Sequence, residues 1–124
     1  MSDGKGPLNI VVEVHKGAAK EVRVLKLQGY LDVHTVERLS KEFDALFDAG
    51  LCRVVVDLKR LTYMGSIGFG VLAQAQQRAN KLGGDLKVSR PTERVRKLFD
   101  SLGLAPMLEF HESVEAALAA FPKS

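Results

Sequence analysis

One hydroxyl in this sequence stands where a small chemical change would matter. Ser66 lies in Tyr63-Met64-Gly65-Ser66-Ile67-Gly68-Phe69-Gly70. The apolar run Val54-Val55-Val56 precedes this stretch and a helix-like pattern follows it, which is the grammar of strand, tight loop and helix start. A serine in a first helical turn sits beside backbone N–H groups that lack intrahelical acceptors and beside the positive end of the helix dipole. It can therefore carry an added negative charge such as a phosphate. Gly65, Gly68 and Gly70 are the oddest feature of the stretch, because glycine inside a helix costs roughly 0.5–1 kcal/mol relative to alanine. Either the helix packs tightly on a sheet there, or a partner or a phosphate sits over the bare turn.

Other chemistries find less support. The glycines do not match a phosphate loop, since no Gly-Lys-Ser/Thr closes them, and they lack dinucleotide-binding spacing. His15, His34 and His111 lie far apart with no metal-ligand spacing and read as solvated surface. Asp57 ends an apolar run and reads as a turn acceptor before a general base. Cys52 has no partner His or Cys nearby and reads as buried and inert. Arg94, Arg96 and Lys97 read as a solvated helix face, one that an acidic partner could use. No nucleophile–base pair is visible, so the expectation is a non-enzyme without cofactor or metal.

The elements that must position Ser66 follow from hydrophobic period. Leu8 to Val14 reads as a strand and Glu21 to Leu27 alternates almost strictly, so a short link makes them an antiparallel hairpin. Asp32 is a plausible N-cap for a helix from Val33 carrying Val36, Leu39, Phe43, Leu46 and Phe47 inward. Cys52 to Leu58 is a nearly continuous apolar run, hence a strand covered on both faces. Lys59 to Ser66 then reads as the loop leaving its carboxyl end. The next helix runs to about Lys81 with Ile67, Val71, Ala75 and Ala79 as its stripe, widened by Leu72 and Leu82. Asp85 to Val88 is a short strand. Pro91 suits a first helical position, before a helix burying Val95, Leu98, Phe99 and Leu102. Met107 to Phe110 and Ser113 to Phe121 close the chain as a short strand and a last helix. The order β-β-α-β-α-β-α-β-α predicts a small α/β domain with a mixed central sheet covered by helices.

The whole chain sets bounds on function. Its 124 residues suffice for one domain, here 8–121, after a polar, Gly-rich lead-in over 1–7 expected to be disordered. That lead-in has no apolar core of a secretory signal, and no run approaches the roughly 18 apolar residues of a membrane span. Membrane insertion is therefore not expected. The single cysteine suits a reducing cytoplasm. The net charge of +3 is spread among acids without a basic block, so no nucleic-acid partner is expected. An exposed edge strand offers a route to a homodimer.

Several segments together resemble the STAS domain of bacterial anti-sigma factor antagonists. They are Gly29-Tyr30-Leu31-Asp32, Val54 to Leu58, Thr62 to Leu72, Arg78 to Gly84 and Val95 to Leu104. Each is weak alone, but their order and spacing are fairly specific, and the resemblance runs from about Leu8 to Phe121. The family loop usually reads Met/Ile-Asp-Ser-Ser-Gly-Leu-Gly. On it, Gly65 takes the place of the Asp, Ser66 that of the phosphorylated serine, Ile67 that of the second serine and Phe69 that of the leucine. The resemblance implies Ser66 as phosphoacceptor and Thr62, Tyr63, Met64, Gly65, Ile67, Gly68 and Phe69 as the partner-binding loop. It also implies an anti-sigma factor of the serine kinase type as partner, released on phosphorylation so that transcription is regulated through a sigma factor. Two other readings stay open at this point. One is an unphosphorylated adaptor in a signalling scaffold or a transporter, for example a lipid-transport assembly. The other is a ligand-binding domain or small enzyme using the glycine-rich crevice.

Overall fold

The computed structural model describes residues 7–16, 20–103 and 105–122. The expected lead-in, apart from Pro7, and hairpin residues 17–19 lie outside the described residues. Five strands form one sheet in chain order. They are β1 (Leu8–Lys16), β2 (Glu21–Leu31), β3 (Arg53–Met64), β4 (Asp85–Ser89) and β5 (Glu109–His111). The helices are α1 (Val36–Asp48), α2 (Ser66–Lys81), α3 (Glu93–Ser101) and α4 (Val114–Ala119). The expected order is therefore the observed one. β1 and β2 pair antiparallel, and the remaining neighbours pair parallel.

Because the strands are laid down in order, each β-α-β connection steps the same way across the sheet. Connections of one hand then fall on one face. α1, α2 and α3 accordingly share a single core with Leu25, Leu27, Val54, Val56, Leu58, Leu86 and Val88. Phe99 anchors it, meeting Phe69 and Phe110 edge-on at 4.0 and 5.1 Å between ring centroids. α4 alone serves the opposite face, where Val114, Ala117 and Phe121 pack on Val22, Val24 and Val55. Beneath α4 lies Lys87, a buried cation over the Phe121 ring whose Nζ reaches Asp85 at 3.1 Å and Glu109 at 2.8 Å. With both pairs in place the charge is compensated where water is scarce.

The structure moves several expected boundaries. β3 does not end at Leu58: it continues to Met64, paired with β2 as far as Leu31↔Met64. Its outer half buries Leu61 and Met64 and exposes Thr62 and Tyr63, and pairing with β2 persists through two register shifts where a loop was expected. Asp32 does not cap α1. It opens a turn in which its Oδ1 accepts from the His34 N–H at 2.9 Å, while the Thr35 hydroxyl donates to the Tyr30 carbonyl at 2.8 Å. α1 then starts at Val36. Pro91 lies just before α3, whose N-cap is Thr92, with its Oγ1 accepting from the Val95 N–H. Leu102 follows α3 and is exposed, and a 3-10 turn over Ala105–Met107 delays β5 to Glu109.

Candidate functional site

Ser66 is the first residue of α2, reached from β3 through Gly65 alone. The turn is fixed from both sides. Gly65 N–H donates to the Leu31 carbonyl at the end of β2, and Gly68 N–H donates to the Gly65 carbonyl at 3.0 Å. Beneath it the packing is close. A Cβ built on Gly68 would lie 2.8 Å from Leu31 Cδ2 and 2.9 Å from Met64 Cγ, distances that real side chains essentially never show. Gly68 is thus explained by helix-on-sheet contact. Gly70 is not, since a Cβ there would meet nothing within 4 Å. It lies one turn beyond Ser66 on the exposed face of the helix and leaves that face bare.

The electrostatics of α2 differ from those of the other helices. α1, α3 and α4 each carry an acidic residue in the first turn, Glu37, Glu93 and Glu115. α2 carries none, and the side chain of its N-cap, Gly65, offers no acceptor. The partial positive charge of its N-terminus is therefore uncompensated by any protein group of that turn. The Ser66 hydroxyl, exposed to solvent, stands at that point.

The residues expected in the partner loop divide into two layers. Met64, Gly68 and Phe69 are buried and support the turn, whereas Thr62, Tyr63 and Ile67 are exposed and Gly65 is half-buried. Ile67 was expected in the core stripe. The helix instead buries Gly68, Phe69, Leu72, Ala75 and Ala79 and leaves Ile67 43% exposed, with Leu82 also outside. Leu72, Ala75 and Ala79 lie inward as expected, so the difference is local to the first turn, where Phe69 fills the space against Phe99. Two residues escaped the sequence reading. Tyr30 is aligned with Tyr63 across the β2–β3 pair, and Val33 follows the Leu31 carbonyl that holds Gly65. Both are exposed. Tyr30, Val33, Tyr63 and Ile67 are thus large apolar side chains exposed on the segments that meet at the Gly65 turn. An alternating strand that abruptly shows Tyr-Leu-Asp-Val was the one available signal.

The remaining candidates lie elsewhere. Asp57 is buried inside β3, where Ser89 Oγ donates to it at 2.9 Å and Arg90 binds both oxygens through Nε and Nη2, at 2.9 and 2.6 Å. It is an ion-pair partner and not a turn acceptor, and its hydrogen bonds raise the Arg90 guanidinium pKa above the ordinary value. Cys52 is half-buried, with Sγ 3.6 Å from the Leu82 carbonyl. His15 and His111 pair with Glu13 and Glu109. Among the described residues, no group of three or more His, Cys, Asp or Glu side chains could hold a metal ion. Among the described residues, no helix is long and apolar enough to cross a membrane.

Comparison with known proteins adds to this geometry. The STAS domain model matches residues 9–117. A curated relative, the anti-sigma F factor antagonist of Paenibacillus polymyxa, is 30% identical over 112 residues, covering 90% of this chain and 92% of the relative. Among solved structures, an anti-sigma factor antagonist from Mycobacterium paratuberculosis superposes with a TM-score of 0.80 at 24% identity over 97% of both chains. The anti-sigma factor antagonist SpoIIAA in its unphosphorylated form gives a TM-score of 0.71 at 27% identity, covering 87% of this chain and 92% of that one. The phosphorylated form of Bacillus SpoIIAA gives 0.66 at 24%, covering 87% and 96%.

Proposed function

This chain belongs to the STAS domain family, and from that premise we propose that it is an anti-sigma factor antagonist switched by phosphorylation of Ser66. One observation carries the reading: an exposed serine opens the helix whose N-terminus lacks an acidic group, next to segments that expose Tyr30, Val33, Tyr63 and Ile67. The relatives support the role, being antagonists of anti-sigma factors by name. SpoIIAA, which has the same fold, exists in both unphosphorylated and phosphorylated forms.

The physics makes this arrangement a switch. Unmodified, the hydroxyl is small and neutral, and a partner can cover it together with these exposed side chains. Phosphate adds about −1.5 to −2 charges and three strong acceptor oxygens. In the free protein the open N–H groups of α2 accommodate it. In a complex the same charge would have to be stripped of water against an apolar contact. Modification therefore favours the free state over the bound one, and the partner lets go. The partner on this reading is an anti-sigma factor of the serine kinase type, and the domain, taken as residues 8–121, works without cofactor or catalysis of its own. Gly65 supplies no carboxylate beside the serine, so recognition by the kinase rests on the backbone turn and on these exposed side chains.

Affinity capture from the native cell lysate tests the reading, with wild type and Ser66→Asp as baits and mass spectrometry as readout. A kinase-like anti-sigma factor held by wild type and lost with Ser66→Asp is the expected result. Equal capture of that protein by both baits, or of transporter or scaffold components alone, would overturn it.

A further inference from the structure

The face of the sheet opposite α1, α2 and α3 is only half covered. α4 spans six residues and packs on Val22, Val24 and Val55. Beyond it, towards the carboxyl ends of β2 and β3, the same face turns polar and encloses a cavity of about 300 Å³. A second hollow, lined in part by the same Asn9, Gln28 and Arg60, continues it to Tyr30 and Thr62.

Three features of this trough go beyond a solvated sheet face. Successive residues of a strand point to opposite faces, yet the consecutive Lys59 and Arg60 both line the cavity. A bulge makes this possible: between the pairs Lys26↔Asp57 and Gln28↔Arg60, β2 supplies one residue and β3 two. Next, neither Lys59 nor Arg60 has an ion-pair partner among the described residues, whereas nearby Lys26 is paired with Glu13 at 3.2 Å. Last, Arg90 is the only non-glycine among the described residues with positive φ, at 52°. Such a backbone persists only when its surroundings hold it, and the buried Asp57 does so through Nε and Nη2. Arg90 is thereby fixed at the wall of the cavity.

We propose that this trough is a binding site for a phosphate-bearing molecule, separate from Ser66 and independent of the antagonist reading. The two cations Lys59 and Arg60 suit the charge and the several acceptor oxygens of a phosphate group, while the Asp57 carboxylate, which also lines the cavity, is offset by its ion pair with Arg90. The Asn9 and Gln28 amides, opposite one another on β1 and β2, add donors beside them. The size suits a small phosphate ester or the headgroup of an anionic lipid, and the two sources separate by experiment.

Amide NMR spectra of the full chain would be recorded against pyrophosphate at constant ionic strength, and co-sedimentation against vesicles with and without phosphatidic acid. The double variant Lys59→Gln/Arg60→Gln would be compared with Arg94→Gln/Lys97→Gln, which makes the same change of charge on α3. The expected result is saturable perturbation of Asn9, Gln28 and Arg60 amides with a Kd of about 1 mM or tighter. It should weaken about tenfold or more in the first variant, the factor expected when a charge-assisted hydrogen bond is lost, and hold in the second. Binding to vesicles with the same variant pattern, without binding of pyrophosphate, would assign the site to a lipid headgroup. No binding to either probe, or equal weakening in both variants, would overturn the proposal.

Discussion

Two glycines of α2, two residues apart, should respond to the same substitution with opposite signs. Replacing glycine by alanine inside a helix contributes about 0.5–1 kcal/mol of stability from backbone entropy alone. At Gly70 nothing lies within 4 Å of the new Cβ, so Gly70→Ala should be stabilising by that whole amount. At Gly68 the Cβ would approach Leu31 Cδ2 to 2.8 Å, Met64 Cγ to 2.9 Å and Leu31 Cγ to 3.0 Å. Leu31 and Met64 are themselves at most 1% exposed, so they have little room to give way. Overpacking of this kind costs about 1–3 kcal/mol, which exceeds the entropic gain and leaves Gly68→Ala destabilised by about 1 kcal/mol. Urea unfolding reads the difference. With a slope of about 1–3 kcal/mol per molar for a domain of this size, the two variants should fall on either side of wild type, separated by about 1 M in midpoint. Two variants that are equally stabilised would refute the reasoning, because the turn carrying Ser66 would then not rest on Leu31 and Met64.

Three further outcomes follow from the same geometry. Asp57→Asn removes the charged partner of Arg90 and should cost about 1.5–3 kcal/mol, the range for hydrogen bonds to charged groups; a urea midpoint indistinguishable from wild type would contradict the lock. Burial alone would raise the Glu109 carboxyl pKa, but hydrogen bonds from Lys87 and His111 outweigh it and hold it below the usual 4.5. A carboxylate depressed in the folded state contributes stability above its unfolded pKa that is lost as pH falls through the folded one. The stability gap between wild type and Glu109→Gln should therefore narrow below about pH 4.5, and a gap that widens in acid would count against the pairing. Ser66→Asp places a negative charge at the helix end that has none, so thermal unfolding should show it as stable as wild type or up to about 1 kcal/mol more stable. Clear destabilisation would mean that the Ser66 side chain is held in a way the structure does not have.

Long-period features were legible in the sequence, and local chemistry was less so. Val36, Leu39, Phe43, Leu46 and Phe47 repeat at helical spacing and are the buried face of α1. The alternation of Glu21 to Leu27 likewise marks the first seven residues of β2. Ile67 shows where period alone fails: in a glycine-rich first turn, Ile67 and Phe69 compete for the core, and the nearness of Phe99, thirty residues on, decides for Phe69. The extension of β3 to Met64 was hidden because Lys59-Arg60 at a bulge looks like a loop when the paired strand is unknown. Asp57 offered only a carboxylate at the end of an apolar run. Its partner Arg90 stands on another strand end, and no local pattern joins the two. Ser66 was legible because strand, glycine and helix start are adjacent in the chain. The alignment of Tyr30 with Tyr63 was not, since it exists only in the register of β2 on β3.

The central claim is that charge at Ser66 controls binding while leaving the fold intact. Its most direct measurement is the affinity of the purified chain for the kinase-type anti-sigma factor proposed as its partner, for wild type, Ser66→Asp and Ser66→Ala. Wild type and Ser66→Ala should bind alike, and Ser66→Asp should bind at least about tenfold more weakly, a change of about 1.4 kcal/mol, with unfolding curves no less stable than wild type. Equal affinity for all three would contradict the switch and leave Ser66 as only the first residue of a helix.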